Sequence, residues 1–382
     1  MKRSTDGILT THTGSLPRPD DLIDLLYAQE NQEPFDEAAL VNRVRSAVAE
    51  SVRQQTEAGI DIVNDGEMSK VSYSTYVSGR LTGFDSHVHV PRRPRPDAAA
   101  FPAYAEWAAS QQPAASRVKR YACTGPVKYV GQDSLQRDIE NLKAALADSP
   151  DTEAFMTAAS PGVISLFQPN QYYASNAEYL EALAEAMREE YEAIYHAGFI
   201  LQLDCPDLTG LSAAEIPGKP PTDLGPRIDA INHAVANIPP DRMRLHLCWG
   251  NYEGPHHLDV PLKDLIGEVL KVRPMGLSFE GANPRHEHEW NIFEDVKLPA
   301  DKVIIPGVLD TTTNYVEHPE LVAQRVVRYA RVVGRENVIA GADCGFATYA
   351  GSMEIHPTVA WAKLDALVRG ARLATERLWS SA

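Results

Sequence analysis

Short apolar runs alternate with long amphipathic stretches along almost the whole chain. The runs predict strands at 8–12, 60–65, 161–166, 199–204, 244–248, 275–280, 302–308 and 337–342. The amphipathic stretches predict helices at 37–58, 134–147, 176–197, 223–237, 262–270, 317–333 and 357–376. Strands that alternate in this way with helices are typical of a parallel sheet covered by helices. This rhythm restricts the fold more than any other feature of the sequence.

About eight strand-helix units favour a closed (β/α)8 TIM barrel over an open doubly wound sheet, and no glycine-rich fingerprint follows the first strand. With 382 residues and 44% apolar composition, the chain can bury a large core. We therefore expect an α/β protein in which residues 1–382 form a single TIM-barrel catalytic domain. Residues 83–119, rich in Pro, Ala and Arg, break the rhythm and predict an inserted excursion after the second strand.

The charge balance excludes two classes of partner. The chain carries 36 Lys and Arg against 52 Asp and Glu, a net charge of -16, which repels nucleic acid and anionic membrane surfaces. It contains neither an apolar run of about 18 residues nor the apolar core of a signal peptide, so we expect a cytoplasmic protein. A homo-oligomer is compatible with this composition.

Reactive side chains recur where the predicted strands end. In a barrel of this kind the carboxyl ends of the strands surround the active site, so these residues are expected to share one pocket. They are His12, Thr13, Ser15, Asp65, Glu67, Asp204, Cys205, His246, Cys248, Glu280, Asp310, Thr311, Thr312, Thr313, Asp343 and Cys344.

One pair in this set has metal-binding character. His246 and Cys248 are two residues apart, a spacing that points both side chains to the same face of a strand. Thiolate and imidazole ligands suit zinc, and Cys344 with Glu280 would complete a four-coordinate site. The alternative is a hydrogen-bonded core histidine beside buried thiols, since free cysteine commonly packs as a small hydrophobe. The position of all four residues at predicted strand ends favours the metal site.

Two further clusters carry metal-type side chains, HEHEW at 286–290 and the pair His256 and His257. Both lie beyond strand ends in stretches rich in Asn, Pro and Glu. Such charged stretches are usually hydrated loops, so we expect these clusters to be exposed to solvent.

Six motifs occur in an order known from one family. They are THTGSLPRP (11–19), LQLDCPDL (201–208), HLCWGN (246–251), SFEGANP (278–284), PGVLDTTTNYVE (306–317) and GADCGFAT (341–348). In these motifs the chain resembles the cobalamin-independent methionine synthase family. It is most similar to the short, single-barrel members, a group that includes epoxyalkane:coenzyme M transferase-like proteins. The resemblance covers the chain apart from residues 83–119.

The resemblance implies roles for particular residues. The positions of the family's catalytic zinc ligands correspond to His246, Cys248, Glu280 and Cys344. The positions that hold the thiol substrate correspond to Thr13, Gly14, Ser15, Glu67 and Asp204. Asp310 matches a family aspartate near the metal, which implies a supporting or proton-handling role and makes it the candidate catalytic residue.

The chain departs from the methionine synthase pattern at two positions. Cys205 stands where those enzymes carry a glutamate after the aspartate, which puts the pocket for a homocysteine ammonium in question. Thr312 stands where they carry a histidine associated with the leaving group of the methylfolate donor. Each residue also has a plain structural interpretation, Cys205 as a packing thiol and Thr312 as a loop hydroxyl.

The resemblance implies a Zn2+-dependent transferase that moves an alkyl group, in methionine synthases a methyl group, to a thiol, with homocysteine as the favoured acceptor. The donor is open between methylfolate, a methyl-corrinoid protein and an epoxide. Coenzyme M is the alternative thiol; Arg18 and Lys70 are candidates to bind its sulfonate, although ordinary surface charge is the favoured interpretation of both. A metal-free decarboxylase, as among the uroporphyrinogen decarboxylase relatives, and a zinc-storage protein are the remaining alternatives.

Overall fold

The computed structural model describes residues 1–90, 95–111, 118–210, 219–352 and 354–380. Its strands, in chain order, are β1 (Ile62–Asn64), β2 (Phe84–His89), β3 (Tyr121–Cys123), β4 (Glu153–Ala159), β5 (Ile200–Asp204), β6 (Met243–His246), β7 (Gly276–Phe279) and β8 (Val303–Pro306). Six of these pair in parallel in one sheet, in the order β1, β4, β5, β6, β7, β8.

Two further segments close this sheet. Thr11 bridges in parallel to Ile62 of β1, and Thr10 bridges to Ala340. Val338 in turn bridges in parallel to Ile304 of β8, and Gly341 bridges to Gly307 directly after β8. Among the described residues, the six strands and these two segments make eight parallel members that return on themselves. The (β/α)8 TIM barrel expected from the sequence is confirmed.

Helices follow the strands around the outside of the barrel. They are α1 (Asp20–Glu30), α2 (Glu37–Ala58), α3 (Pro96–Ala99), α4 (Pro102–Gln111), α5 (Gln132–Ala145), α6 (Pro161–Phe167), α7 (Asn176–His196), α8 (Leu224–Ala234), α9 (Leu262–Val269), α10 (Ile292–Asp295), α11 (Pro319–Val333) and α12 (Pro357–Trp379). No helix in the described ranges combines the length and apolar character needed to cross a membrane.

The third strand was predicted wrongly. Residues 161–166 lie in α6, and the strand at this place in the barrel is β4, just before them. Ser160 starts the helix because its side chain accepts a hydrogen bond from the backbone N–H of Val163, and Pro161 occupies the first turn. An apolar run of six residues fits a buried strand and a buried helix equally well, so the cap decides between them.

The interior of the barrel holds a buried cation beneath the strand ends. Arg244 of β6 is fully buried, and its guanidinium lies 3.4 Å from the centre of the Phe155 ring. It donates hydrogen bonds to Gln202 Oε1 at 2.7 Å, to Thr11 Oγ1 at 2.9 Å and to the carbonyl oxygen of His12 at 2.6 Å. This network ties three of the eight barrel members together below the site.

The expected excursion after the second strand is present. Strand β2 pairs antiparallel with β3, and the short helices α3 and α4 lie between them. Residues 91–94, which include two of the three arginines of the PRRPRP stretch, and residues 112–117 lie outside the described residues. Arg95 and Asp97 are described, and both line the cavity at the carboxyl end of the barrel.

Candidate active site

A cavity of about 590 Å³ opens at the carboxyl ends of the barrel strands. Seven of the residues singled out from the sequence line it together: Thr13, Ser15, Glu67, Asp204, His246, Cys248 and Cys344. We call these seven residues the floor of the cavity. Gly14, Glu280 and Asp310 are not among the lining residues.

Three floor residues form a compact group of ligand atoms. The donor atoms of His246, Cys248 and Cys344 all lie within 4.8 Å of one another, and all three side chains are buried. The two sulfur atoms are 3.5 Å apart. On the imidazole of His246, Nδ1 lies 3.1 Å from Ser278 Oγ, whereas Nε2 is buried without a hydrogen-bond partner among the described residues. The ring nitrogen without a partner is therefore the one available to a metal ion.

These residues fit a zinc ion. Two sulfurs and one imidazole nitrogen are the protein ligands of one common type of catalytic zinc site, which keeps a fourth position open. The hydrogen bond from Cys344 holds the pKa of the Cys248 thiol well below its usual range, despite burial, and the same contact raises the pKa of Cys344. The pair thus already favours one thiolate, the form in which cysteine binds metal.

Glu280, the fourth ligand implied by the resemblance, is not part of this group of ligand atoms, and hydrogen bonds hold both of its carboxylate oxygens. Its Oε1 accepts from the backbone N–H of Trp249 at 2.7 Å and its Oε2 from Asn283 Nδ2 at 2.8 Å. Burial raises its pKa well above the usual range, and the neighbouring Cys248 adds to this. Asp343 fixes the turn that carries Glu280, because it accepts backbone hydrogen bonds from Gly281 at 2.8 Å and from Asn283 at 2.8 Å.

Glu67 occupies a strained backbone conformation at the floor. Its φ of 58° lies in the left-handed region, which non-glycine residues seldom adopt and which clusters at functional sites. Its Oε1 accepts a hydrogen bond from Thr157 Oγ1 at 2.8 Å, whereas Oε2 is buried and accepts none from any described residue. The closest cation to Oε2 is Arg18, whose Nη2 is 3.9 Å away. One carboxylate oxygen thus remains available to a ligand.

Gly14 makes room for this arrangement. Its φ is 139°, and a Cβ atom added there would come within 2.7 Å of Thr157 Cγ2 and 3.0 Å of Glu67 Oε1. A side chain at position 14 would therefore displace the two groups that shape this end of the floor. The role of Gly14 is to permit close packing behind the lining residues.

Asp204 ends β5 and faces the same space as Glu67. Its Oδ1 accepts a hydrogen bond from Gln202 Nε2 at 2.8 Å, and Gln202 is itself held by the buried Arg244. Burial raises the pKa of Asp204 well above the usual range, and the negative charge of Glu67 raises it further. Two carboxyl groups that repel each other in one buried space would both be stabilised by a cationic ligand group.

Arg18 and Lys70 are buried, so the interpretation of both as surface charges is wrong. Arg18 donates to the carbonyl oxygens of Glu67 at 3.2 Å and of Ala347 at 2.9 Å. Lys70 Nζ donates to Thr157 Oγ1 at 3.0 Å and to the carbonyl oxygen of the same residue at 2.6 Å. Neither cation lines the cavity. Both hold the backbone and side chains that support Glu67.

The HEHEW cluster was predicted to be exposed, and this is wrong for every member except His288, since Glu287 and Trp290 are half-buried. His286 and Glu289 are buried, and they pair at 2.8 Å. His286 also contacts Asp259 at 3.2 Å, and its ring packs on Trp249 with 4.4 Å between centroids. Burial disfavours the charged imidazole, but the hydrogen bonds to Asp259 and Glu289 outweigh it and raise the pKa of His286 to about 10. The cluster stabilises a loop over the cavity.

Of the other three histidines that were predicted to be exposed, two are exposed and one is not. His257 and His288 are exposed. His256 is half-buried, and its Nδ1 lies 2.7 Å from Asp259 Oδ2. None of these side chains joins the group of ligand atoms found among the described residues.

Asp310 is buried next to the floor, but both of its carboxylate oxygens accept hydrogen bonds from its own loop. Its Oδ1 accepts hydrogen bonds from the backbone N–H of Thr312 at 2.9 Å and from the hydroxyl of that residue at 2.8 Å, and its Oδ2 accepts from Thr313 at 2.5 Å. Thr312, one of the two departures from the family pattern, thus orients this carboxylate. Asp310 also contributes, after burial, to the raised pKa of Asp343, which reaches about 7.

Cys205, the other departure, points away from the cavity. It is fully buried, does not line the cavity, and its Sγ lies 3.7 Å from the carbonyl oxygen of Leu203. Burial raises the pKa of its thiol well above the usual range. These features are those of a packing thiol.

The remaining walls of the cavity were missed from the sequence. They include Arg95 and Asp97 from the excursion, Arg120 directly after it, and Trp249 and Tyr252 from the loop after β6. No periodicity marks these positions. The one available signal was that the excursion interrupts the rhythm on the side of the second strand, which predicts a location near the barrel mouth and no individual contact.

Comparisons with known proteins agree with this architecture. The family model described as "Cobalamin-independent synthase, Catalytic domain" matches residues 167–363. The methionine synthase of Sulfolobus acidocaldarius is 25% identical over 378 residues, which cover 97% of this chain and 93% of that protein. The methionine synthase of Pyrococcus furiosus is 26% identical over 341 residues, which cover 88% and 85% of the two chains.

A solved structure shares the fold. A B12-independent methionine synthase from a Shewanella species, in complex with selenomethionine, superimposes with a TM-score of 0.76 at 19% sequence identity. The superposition covers 98% of this chain and 99% of the other. The excursion and the barrel together therefore have a counterpart of nearly equal length in a known protein.

Proposed function

This chain belongs to the family of cobalamin-independent synthase catalytic domains, and we propose that it transfers a methyl group to the sulfur of homocysteine at a zinc ion. The observation that carries the proposal is one juxtaposition. A buried group of one imidazole and two sulfurs faces the same cavity as two buried carboxyl groups. A thiol that also carries an ammonium group is the ligand that satisfies both.

The proposed zinc ligands are His246, Cys248 and Cys344, with Glu280 as the fourth ligand implied by the sequence. A zinc ion held by these residues would supply a Lewis acid that lowers the pKa of an incoming thiol and would favour its nucleophilic thiolate at neutral pH. Ser278 orients the imidazole through Nδ1, 3.1 Å away, and thereby directs Nε2 towards the sulfurs.

The amino acid end of homocysteine is proposed to bind at Glu67 and Asp204. Glu67 Oε2 is buried with no hydrogen-bond partner among the described residues, and an ammonium group would supply one. The cation would also relieve the repulsion from Glu67, which adds to the effect of burial in raising the pKa of Asp204. Thr13 and Ser15 line the same end and are proposed to receive the carboxylate of the substrate.

Coenzyme M fits this floor less well. Its sulfonate needs a cation, and the two cations proposed for it, Arg18 and Lys70, are buried behind the floor and do not line the cavity. Two carboxyl groups at the floor would instead repel a sulfonate. We therefore keep homocysteine as the proposed acceptor and coenzyme M as the alternative in the test.

Asp310 is proposed to support the site through proton handling. Threonine hydroxyls hold its carboxylate in one orientation, and it influences the protonation of Asp343, whose carboxylate fixes the turn that carries Glu280. An Asp310→Asn variant is expected to keep metal and thiol binding but to slow turnover. Equal turnover in this variant and the parent would remove Asp310 from the mechanism.

The deciding experiment begins with metal analysis, followed by X-ray absorption of the zinc-loaded protein without a thiol, with homocysteine and with coenzyme M. We expect one zinc ion per chain, and one additional sulfur ligand together with proton release when homocysteine is added. A response to coenzyme M alone would favour epoxide opening. Zinc without any sulfur exchange would indicate storage, and a protein that binds no zinc would leave a metal-free decarboxylase.

Turnover then identifies the donor. The zinc-loaded protein is incubated with homocysteine and, in separate reactions, with methyltetrahydrofolate, with methylcobalamin and with a short epoxyalkane. Methionine formation in either of the first two reactions supports methyl transfer. A thioether formed in the epoxide reaction alone would contradict it.

A further inference from the structure

The loop that follows Cys248 covers part of the cavity. We call residues 249–259 the cover loop; Trp249, Tyr252 and Asp259 of this loop line the cavity. At the start of the loop, the backbone N–H of Gly250 donates a hydrogen bond to Cys248 Sγ at 3.2 Å. The position of the rest of the loop affects the access to the floor.

The inserted excursion holds this loop through one buried carboxylate. Asp97 is only 5% exposed, and its Oδ2 accepts hydrogen bonds from the hydroxyl of Tyr252 and from the backbone N–H of His256, the latter at 3.1 Å. The neighbouring Arg95 stacks on the Tyr252 ring, with 3.2 Å from its guanidinium carbon to the ring centroid. Two neighbouring residues of the excursion, Arg95 and Asp97, thus contact the same tyrosine side chain.

The cover loop is shaped to seat that tyrosine. A Cβ atom added to Gly254 would come within 2.1 Å of Tyr252 Cε2, and one added to Gly250 within 3.1 Å of Tyr252 Cε1. The two glycines therefore leave the space in which the ring lies. His256 has a φ of 49°, an unfavourable conformation for a non-glycine residue, and the hydrogen bond from its N–H to Asp97 helps to maintain it.

Other contacts fix the loop at its remaining sides. The hydroxyl of Tyr104 in α4 donates a hydrogen bond to the carbonyl oxygen of Glu253 at 2.5 Å, and the Phe101 ring packs edge-on against His257 with 5.3 Å between centroids. At its far end, Asp259 is held by His286, 3.2 Å away. The loop is thus anchored to the excursion on one side and to the barrel on the other.

We propose that Asp97 is a positioning residue, which acts through Tyr252 to hold the cover loop closed over the cavity. Metal and thiol are proposed to bind at the floor, so the methyl donor must approach from the side that this loop and the excursion surround. We call the hydrogen-bonded pair of Asp97 and Tyr252 the clasp. The clasp therefore controls the entry of the methyl donor into the cavity and its orientation there. This statement about the donor rests on the proposed function, whereas the closure of the loop does not.

The first test measures closure without catalysis. In the metal-free protein, the rate at which dithionitrobenzoate modifies Cys248 and Cys344 is followed, with the modified thiols identified by mass spectrometry. Asp97→Ala and Tyr252→Phe are each expected to raise this rate about tenfold, because each removes the hydrogen bond between the Tyr252 hydroxyl and the buried Asp97 side chain, which opposes opening. Tyr252→Phe preserves the ring and its packing, so it reports on the hydroxyl alone.

The matched controls separate the clasp from general damage. Asp97→Asn keeps an oxygen that can accept both hydrogen bonds, and its rate is expected to stay near that of the parent. Glu106→Ala, on the exposed side of α4, is expected to change nothing. Equal modification rates in Asp97→Ala, Asp97→Asn and the parent protein would overturn the proposal.

The second test locates the effect in the reaction. With zinc-loaded protein, Asp97→Ala is expected to raise KM for the methyl donor, methyltetrahydrofolate or methylcobalamin, whichever supports turnover. Zinc content and the Kd for homocysteine should stay at the parent values. Parallel losses in zinc content and homocysteine affinity would show a merely structural role and contradict the proposal. If neither donor supports turnover, the proposed function fails while the thiol modification rates still decide whether the clasp exists.

Discussion

The floor and the cover of the cavity are built in different ways. Every floor residue ends or follows one of the parallel members of the barrel, so the closure of the sheet brings these side chains together. The cover depends on contacts such as that between Asp97 and Tyr252, which are 155 residues apart and lie on no common sheet. Regular structure thus brings the floor residues together. Access to the cavity is instead controlled by contacts between irregular segments that are far apart in the sequence.

The largest effect is expected when one of the proposed metal ligands on the floor is replaced. Cys344→Ser is expected to abolish both zinc binding and turnover, because the site loses one of its two sulfurs. Metal analysis and methionine formation measure the two losses. Cys123→Ser, which changes a buried cysteine outside the cavity, is the control and should retain one zinc ion per chain. A metal-loaded, active Cys344→Ser variant would refute the proposed ligand set.

A smaller effect is expected at the carboxylates of the floor. Asp204→Asn should weaken homocysteine binding about 30-fold, since it removes a charge-assisted interaction with the substrate ammonium. Calorimetric titration of the zinc-loaded variant measures this change. Propanethiol, a thiol with neither an ammonium nor a carboxylate group, should bind the variant and the parent equally. An equal loss for both thiols would assign Asp204 to the scaffold.

A still smaller effect is expected when the Ser278 hydroxyl, which orients the imidazole of His246, is removed. Ser278→Ala deletes the hydroxyl 3.1 Å from His246 Nδ1, and zinc affinity is expected to fall about tenfold, as for other groups that support metal ligands. Competition with a chelator measures the affinity. Homocysteine affinity at saturating zinc should remain at the parent value, and a change there instead would show that Ser278 shapes the thiol pocket.

Substitution of His286, behind the cover loop, is expected to affect catalysis least. Its effect is expected on the free energy of unfolding. The pKa of His286 is raised from 6.5 to about 10, so the folded protein holds a proton that the unfolded chain releases between these values. The stabilisation is thus fully present below about pH 6.5 and is lost as the pH rises through about 10. The difference in unfolding free energy between the parent and His286→Gln should shrink over this range in denaturant titrations. A difference that stays constant with pH would show that the imidazole is neutral.

Much of the barrel and of its floor was predictable from the sequence. Seven of the eight predicted strands coincide with barrel members, and seven residues singled out from strand ends line one cavity. The exception, at 161–166, failed because an apolar run of that length has no period of its own, and the cap at Ser160 makes it a helix. The burial of Lys70 and His286 was also missed, because a charged residue is buried only when distant partners satisfy it, and such partners leave no local signal.

The sequence by itself determined the barrel, the family and the set of residues at the floor. It could do so because a strand has a period of two, a helix a period near four, and the ends of parallel strands meet at one edge. Only the tertiary structure decided that Glu67 keeps a free oxygen, that Cys205 turns away from the cavity, and that Asp97 reaches Tyr252. These outcomes depend on contacts between segments that are far apart in the chain. The local preference of residues for helix or strand does not predict such contacts.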